Sequence, residues 1–132
     1  MKEGEIVYSK KYTFPDGSIS DKFIINLNDP QPNEPYLILL VTSKQYFRET
    51  KPGCHSSVGY YVIPEKVDYF DRDITWVLFN TLKEFTLEEE LRESWNYNFV
   101  TKAHLKPATL RAIINCLKQS DWITKYQASL LN

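Results

Sequence analysis

Two neighbouring hydroxyl side chains follow the most apolar stretch of the chain. Residues 36–41 read Y-L-I-L-L-V, with Pro35 before them and Thr42 and Ser43 after them. The β-branched residues in this run and the preceding proline favour a strand buried on both faces over a core helix of the same length. We therefore expect a pocket near the end of this strand, where Thr42 and Ser43 could hydrogen-bond a phosphate. The alternative is that both hydroxyls end the strand and bond local backbone.

One histidine lies in a polar segment where it could transfer protons. His55 falls within residues 44–58, whose Pro52, Gly53, serines and mixed charges are typical of a long loop. Histidine exchanges protons near neutral pH, so His55 could act as a general acid or base. The alternative is a histidine that is simply exposed to solvent.

Three local groups of charged residues could hold a phosphate. Lys44, Arg48 and Lys51 lie in the same loop, and residues 10–11 form a second basic pair. The third group, residues 71–73, reads D-R-D and could either bind a phosphate or form a surface ion-pair cluster. Such groups are more often solvated surface, so they extend the candidate site without defining it.

Three aromatic residues of alternating spacing, Trp95, Tyr97 and Phe99, follow an acidic segment. They could stack on unpaired bases, which is a common way of holding single-stranded nucleic acid. Their alternative role is to pack a helix onto the rest of the fold.

The composition fits a folded domain rather than a disordered or strongly basic chain. The chain has 132 residues, of which 25% are charged and 42% hydrophobic, with a formal net charge of -1. Domains usually contain about 50 to 200 residues, so we predict a single domain over residues 1–132. No overall basic charge indicates nucleic-acid binding, although the local basic patches could provide it.

Cys54 and Cys116 are the two cysteines of the chain. They show no C-x-x-C spacing, and His55 and His104 lie far apart in sequence, so neither a zinc site nor a redox motif is indicated. We predict free thiols, no metal and no other cofactor. The first residues, M-K-E-G-E, lack the apolar run of a signal peptide, and no window reaches about 18 uninterrupted apolar residues. These features predict a cytoplasmic protein that does not span a membrane.

Alternating apolar and polar residues predict several short strands in the first two thirds of the chain. The predicted strands cover residues 5–8, 12–14, 22–27, 36–43, 59–63 and 75–82. A turn is expected at residues 15–18, which read P-D-G-S. The spacing of these strands suits a small barrel with short connections.

The last third of the chain carries helix signals. Thr86 with Glu89 three residues later is a capping-box pattern and predicts a helix to about Trp95, after which residues 99–101 return to strand. Pro107 can open a second helix, and Ser120 with Asp121 could cap a short last one. Apolar residues at helical spacing predict that one face of the second helix packs on the sheet. They are Leu110, Ile113, Ile114 and Leu117. The predicted fold class is mainly β with C-terminal helices (α+β).

The order of several sequence blocks resembles the MazF/PemK toxin family, to which the Kid and CcdB toxins are similar in fold. Each block is short, and the resemblance rests on their order along most of the chain. The blocks are G-E-I-V at residues 4–7, D-G-S at 16–18, K-F-I-I-N-L at 22–27, L-V-T-S-K at 40–44, D-R-D at 71–73, and Leu105 onward into a helix. Residues 85–99 would then be a helical insertion.

The resemblance implies a small SH3-like β-barrel that forms a homodimer, binds a cognate antitoxin and cleaves single-stranded RNA without a metal ion. Such cleavage needs a base for the 2′-OH, an acid for the leaving oxygen and donors that hold the phosphorane charge. A non-catalytic relative that binds a protein, gyrase or a nucleic acid is the alternative implied by the same resemblance.

The resemblance also assigns candidate site residues. Thr42 and Ser43 match the family's hydroxyl pair, and Lys22 stands where the family has arginine, so a point charge replaces a bidentate donor. These three are the predicted catalytic residues. Asn80 stands where the Kid branch has an acidic residue, and an amide cannot titrate as a base. Lys44, His55 and Asn80 are the predicted substrate-binding residues.

Overall fold

The computed structural model describes residues 1–70 and 73–131, and within them the chain forms seven strands and three helices. Asp71 and Arg72, two of the three residues of the predicted D-R-D group, lie outside the described residues. The strands are β1 (Glu5–Thr13), β2 (Ile19–Asn26), β3 (Tyr36–Thr42), β4 (Gly53–His55), β5 (Tyr60–Ile63), β6 (Thr75–Phe85) and β7 (Phe99–His104). The helices are α1 (Leu87–Trp95), α2 (Pro107–Gln119) and α3 (Lys125–Ser129).

The strands pair antiparallel into one sheet in the order β4-β5-β6-β3-β2-β1-β7. β3 is its central strand, and every residue of β3 from Tyr36 to Val41 is buried. The prediction of a strand buried on both faces at residues 36–43 is therefore confirmed. The predicted strands at 5–8 and 12–14 are the two ends of the single strand β1, which carries a bulge between Ser9 and Tyr12.

One face of the sheet is covered by α2. The apolar face predicted for this helix is confirmed, because Leu110, Ile113, Ile114 and Leu117 are all buried against strand residues such as Leu39 and Phe79. Pro107 opens α2 as predicted, and Lys106 at its N-cap makes no side-chain cap. Asp68 from a distant loop supplies the missing acceptor: its carboxylate accepts hydrogen bonds from Lys106 N at 2.6 Å and from Thr109 Oγ1 at 2.7 Å.

The other face of the sheet holds a second core. Val7, Ile24 and Ile38 are fully buried there. Three aromatic side chains also pack in this core. They are Tyr12 near the end of β1, Phe14 in the loop that follows, and Phe85 at the end of β6. Bulges bend a strand and increase its twist.

The model is thus mainly β with short helices, consistent with the predicted α+β class. The SH3-like barrel is not confirmed, because β4 and β7 form the two edges of the described sheet and do not pair with each other. The sheet is bent but open.

α1 joins β6 to β7 and occupies the segment predicted as a helical insertion. The predicted capping box is confirmed: Glu89 N donates to Thr86 Oγ1, and Thr86 N donates to the Glu89 carboxylate. Of the three aromatic residues that could pack this helix onto the fold, Phe99 packs against Phe85, with ring centroids 5.7 Å apart. Trp95 and Tyr97 are 84% and 78% exposed. The predicted cap of the last helix is wrong, since Thr124 caps α3 rather than Ser120 or Asp121.

The prediction of free thiols is also wrong. Cys54 on β4 and Cys116 in α2 form a disulfide across 62 residues of sequence. The short strand β4 was itself missed within the predicted 44–58 loop. In the described part of the chain no helix has the length and apolar character needed to cross a membrane.

Candidate functional site

A wide bulge in β6 brings Asn80 to the surface of the sheet. Between the pairs Leu40–Leu78 and Ile38–Lys83, β6 uses residues 79–82 where β3 uses one residue. The Thr81 hydroxyl replaces the lost ladder contacts, because it accepts from Leu40 N at 2.9 Å and donates to the Leu78 carbonyl. Bulges are frequent beside functional sites, where they redirect a side chain. Here the bulge leaves Asn80 exposed.

Asn80 lies between two cavities, which together we call the Asn80 groove. The first cavity has a volume of about 420 Å³, and the second has a volume of about 550 Å³. The side chains lining the first cavity include Phe47, Arg48, Glu49, His55, Tyr60 and Trp122. The side chains lining the second cavity include Tyr12, Phe14, Leu40, Thr81 and Lys83.

The second cavity combines lysine ammonium groups with aromatic rings. Lys83 Nζ lies 5.0 Å from the ring centroid of Tyr12, and Lys22 Nζ lies 5.8 Å from that of Phe14. Cations over aromatic faces are attracted by the ring quadrupole, so Lys83 lines this cavity beside Tyr12, and Lys22 lies against the Phe14 ring without lining the cavity itself. Burial raises the pKa of Tyr12, so its hydroxyl stays protonated and adds no negative charge.

The first cavity has a cationic and aromatic outer wall formed by the loop after β3. Arg48 lies 5.8 Å from the ring centroids of both Tyr46 and Phe47, and its Nη1 donates to the Lys44 carbonyl at 3.0 Å. Phe47 is 92% exposed. An exposed aromatic ring beside a fixed guanidinium offers a stacking surface next to a positive charge.

His55 lines the first cavity, but both of its ring nitrogens are engaged. Nε2 lies 2.8 Å from the Lys51 carbonyl, and Nδ1 lies 3.3 Å from the Glu49 carboxylate. Both neighbours are hydrogen-bond acceptors. The ring stacks on Tyr60 with centroids 5.1 Å apart. His55 thus anchors the loop that carries Glu49 and also forms a carboxylate–imidazole pair in the cavity.

Trp122 forms the inner wall of the first cavity by packing on Gly59. Gly59 has φ +85° and is buried, and a Cβ placed on it would collide with the indole nitrogen of Trp122. Trp122 itself remains 48% exposed. Glycine is therefore needed at position 59 for two reasons, the left-handed backbone and the space for the indole.

The hydroxyl pair predicted at the end of β3 lies in a different cavity. Thr42 and Ser43 line a space of about 620 Å³ together with Asp68 and Asp73. Thr42 Oγ1 accepts from Lys44 N at 3.1 Å, so this hydroxyl bonds local backbone. Among the described residues, the lining of this cavity holds two carboxylates and no lysine or arginine, whereas Glu49 in the first cavity shares its lining with Arg48.

The structure therefore separates the predicted site residues into two groups. His55 and Asn80 line the Asn80 groove, and the Lys22 ammonium lies against a ring of the same groove. Thr42 and Ser43 do not line the groove, and Lys44 is an exposed residue between the two regions. The structure does not place Lys22 with the hydroxyl pair in one described cavity.

Sequence reasoning missed most of the groove. Tyr12 and Phe14 were assigned to an ordinary strand and Trp122 to a last helix, and Lys83 lay just beyond the strand predicted at 75–82. The available signal was the clustering of Tyr46, Phe47 and Arg48 in a long loop, because exposed aromatic and basic residues in loops often bind ligands.

The described residues contain no group of three or more His, Cys, Asp and Glu side chains placed to hold a metal ion. Comparison of the chain with protein-family models, curated proteins and solved structures gave no match.

Proposed function

We propose that the chain binds single-stranded RNA along the Asn80 groove. Single-stranded nucleic acids are held by cations that follow the backbone and by aromatic side chains that stack on bases. The observation that carries this proposal is that cationic and aromatic side chains occur together in the two cavities that share Asn80. The cations are Lys22, Lys83 and Arg48, and the aromatic residues are Tyr12, Phe14, Phe47 and Trp122.

The form of the nucleic acid follows from the aromatic rings. Bases in a duplex are stacked on one another, whereas bases in a single strand can be splayed onto side chains. Phe47 and Trp122 both line the first cavity, whose volume of about 420 Å³ is available for such a base. The choice of RNA over DNA rests on the resemblance to the MazF/PemK family.

The same resemblance supports a role in a toxin–antitoxin pair, with a cognate antitoxin and a homodimer as further parts of the proposal. A small SH3-like barrel is also part of the proposal, supported by the antiparallel pairing of the seven strands and by register shifts in the β1–β2, β1–β7 and β3–β6 pairs. Cytoplasmic location also remains a prediction. The Cys54–Cys116 disulfide weighs against it, because disulfides persist mainly in oxidising compartments.

An endoribonuclease is the second candidate, and the Glu49–His55 pair favours it. Metal-independent cleavage needs a base near the 2′-OH and an acid near the leaving 5′-oxygen. The Glu49 carboxylate is 70% exposed in the first cavity and lies 3.3 Å from His55 Nδ1. In this proposal Glu49 takes the proton and His55 donates one, while Lys22 and Arg48 hold the phosphate.

Binding is tested by fluorescence anisotropy with a labelled oligouridine. Phe47→Ala is expected to weaken binding by roughly fivefold or more, since stacking contributes about 1 to 3 kcal/mol per base. Tyr97→Ala is the matched control, because Tyr97 is also an exposed aromatic residue but lies outside the groove. Equal effects of the two substitutions would exclude the groove as the binding site.

Cleavage is tested separately by incubating total RNA with the protein in the presence of a chelator. Loss of cleavage in both Glu49→Gln and His55→Asn, with oligouridine binding retained in Glu49→Gln, would support the nuclease. If total RNA stays intact while oligouridine binds tightly, the protein binds RNA without cleaving it, and the nuclease proposal is wrong.

A further inference from the structure

The apolar face of α1 points to solvent. Leu87, Leu91 and Trp95 are spaced four residues apart, which places them on one side of the helix. Their exposed fractions are 48%, 58% and 84%. The opposite side of α1 carries Glu90, which is buried and accepts hydrogen bonds from the Met1 amino group and Ser94 Oγ, both at 2.9 Å. A helix that packs on a core buries its apolar side, whereas α1 exposes its apolar side and buries a glutamate.

This face continues into a groove formed by three elements. Leu87 and Leu91 form one wall of a cavity of about 650 Å³. Pro32 and Pro35 from the β2–β3 loop and Tyr126 from α3 form the remaining apolar lining. Tyr126 is 54% exposed, so its ring is available to an incoming side chain. We call this surface the α1 groove.

The rim of the α1 groove is acidic. Glu34, Glu84 and Glu88 line it, and in the described part of the chain its lining contains no lysine or arginine. Arg92 approaches Glu88 at 3.9 Å, but both side chains are largely exposed and such pairs contribute little. The groove therefore presents an apolar floor inside a negative rim.

The negative charge of the rim distinguishes between two candidate occupants of the α1 groove. A second copy of this chain docked through the same groove would place Glu34, Glu84 and Glu88 of both copies in one interface, because a twofold interface uses the same surface on both subunits. Like charges placed together across an interface are unfavourable. A partner with basic residues flanking apolar anchors would instead match both the floor and the rim.

We propose that the α1 groove docks a cationic amphipathic helix of a partner protein. The exposed apolar face of α1 runs from Leu87 and Leu91 in the groove to Trp95 beyond its lining, which is about 12 Å of helix at 1.5 Å per residue. That length matches two turns of a partner helix whose apolar residues recur every three to four positions. Lysine or arginine residues on the flanks of that helix would lie beside Glu84 and Glu88.

This surface is separate from the Asn80 groove. Lys83 lines the Asn80 groove and its neighbour Glu84 lines the α1 groove, and adjacent residues of a strand point to opposite faces. The two grooves also carry opposite charge, so RNA and a cationic helix would not compete for one site. The proposal therefore stands whether or not RNA binds.

The proposal is tested by selecting a random peptide library on the wild-type protein after depletion on Leu91→Ser. Enriched peptides are expected to carry apolar residues at helical spacing with flanking lysine or arginine. Their affinity for Leu91→Ser should fall by about tenfold, or about 1.4 kcal/mol, because the substitution removes an apolar side chain that the bound peptide would bury. Ile19→Ser is the control, because Ile19 is 63% exposed and lies outside the α1 groove.

Charge reversal supplies the second readout. Glu88→Lys should weaken the selected peptides at low salt, with the loss shrinking as salt rises. Acidic consensus peptides, or no peptide that depends on Leu91, would overturn the proposal. Self-association of the wild type that Leu91→Ser abolishes would overturn it in favour of a second copy.

Discussion

Cys54 on the edge strand β4 is bonded to Cys116 inside α2, with their Cα atoms 5.5 Å apart. Cys116 is 1% exposed, whereas Cys54 is an exposed residue of a three-residue strand. The bond therefore links a short edge strand to the helix that covers the larger core of the sheet. His55 follows Cys54 directly, so the same bond helps to hold one wall of the Asn80 groove.

Removal of this disulfide should destabilise the protein substantially. A link across 62 residues restricts the unfolded chain, and the loop-entropy relation gives about 4 kcal/mol for this length. Cys54→Ala with Cys116→Ala should lower the free energy of unfolding in urea by an amount of that order. Reductant should destabilise the wild type to the same extent and leave the double variant unchanged. A wild type indifferent to reductant would contradict this role.

Gly59→Ala should perturb Trp122 in a way that Gly17→Ala does not. The two glycines have similar backbone angles, φ +85° and φ +88°, but only Gly59 faces the indole ring, while a Cβ at Gly17 meets open space. Both substitutions incur the left-handed strain of about 1 to 2 kcal/mol. Gly59→Ala should add a further loss of stability and shift the tryptophan fluorescence of the folded protein. Equal stability losses in the two variants would contradict the predicted contact.

Asp68→Ala should destabilise α2 although residue 68 is far from the helix in sequence. The Asp68 carboxylate accepts from Lys106 N and Thr109 Oγ1, and a lost N-terminal cap typically costs about 0.5 to 2 kcal/mol. Asp68→Asn keeps one acceptor and tolerates the positive φ of 56°, so it should cost less. Urea unfolding of both variants measures the difference, and an Asn variant as unstable as the Ala variant would argue against a capping role.

The Tyr8–Asp21 hydrogen bond should make stability depend on pH at both extremes. Tyr8 Oη donates to Asp21 at 2.6 Å, and this bond lowers the pKa of Asp21 and raises the pKa of Tyr8. A lowered carboxyl pKa stabilises the fold above the unfolded value, and that contribution is lost as the pH falls through the folded value. A raised tyrosine pKa stabilises the fold below the unfolded value, and that contribution is lost as the pH rises through the folded value.

Tyr8→Phe removes the bond and provides the comparison. The difference in unfolding free energy between wild type and Tyr8→Phe should be largest near neutral pH and should shrink towards both extremes. Urea unfolding over a pH series measures it. Tyr46→Phe is the control, because Tyr46 is 73% exposed, and a pH-independent difference for Tyr8→Phe would sink the interpretation.

The parts of the fold that local sequence specifies were predicted well. The apolar run of β3, the Thr86–Glu89 capping box and the apolar face of α2 each depend on residues within a few positions of one another. β4 could not be predicted in this way, because it has only three residues, G-C-H, and shows no alternation of apolar and polar side chains. The bulge that exposes Asn80 depends on the register between β3 and β6, which no local pattern encodes.

The candidate site was predicted in part for the same reason. His55 and Asn80 were identified by residue type and by the resemblance, and both line the groove. Thr42 and Ser43 follow β3 as expected, but the chain that packs beside them brings Asp68 and Asp73 rather than Lys22. Which strand ends share a cavity depends on the path of the loops, and the sequence does not specify that path.

The central claim is that the Asn80 groove binds single-stranded RNA, and a comparison of two lysines tests it most directly. Lys22 Nζ and Lys102 Nζ each lie 5.8 Å from an aromatic ring, Phe14 in the groove and Tyr8 outside its lining. The measurement is the affinity for a labelled oligouridine over a salt series. We predict that Lys22→Ala weakens binding and reduces the slope of log affinity against log salt by about 0.7, the value for one phosphate contact to a single strand. Lys102→Ala should leave both unchanged, and equal behaviour of the two variants would contradict the account.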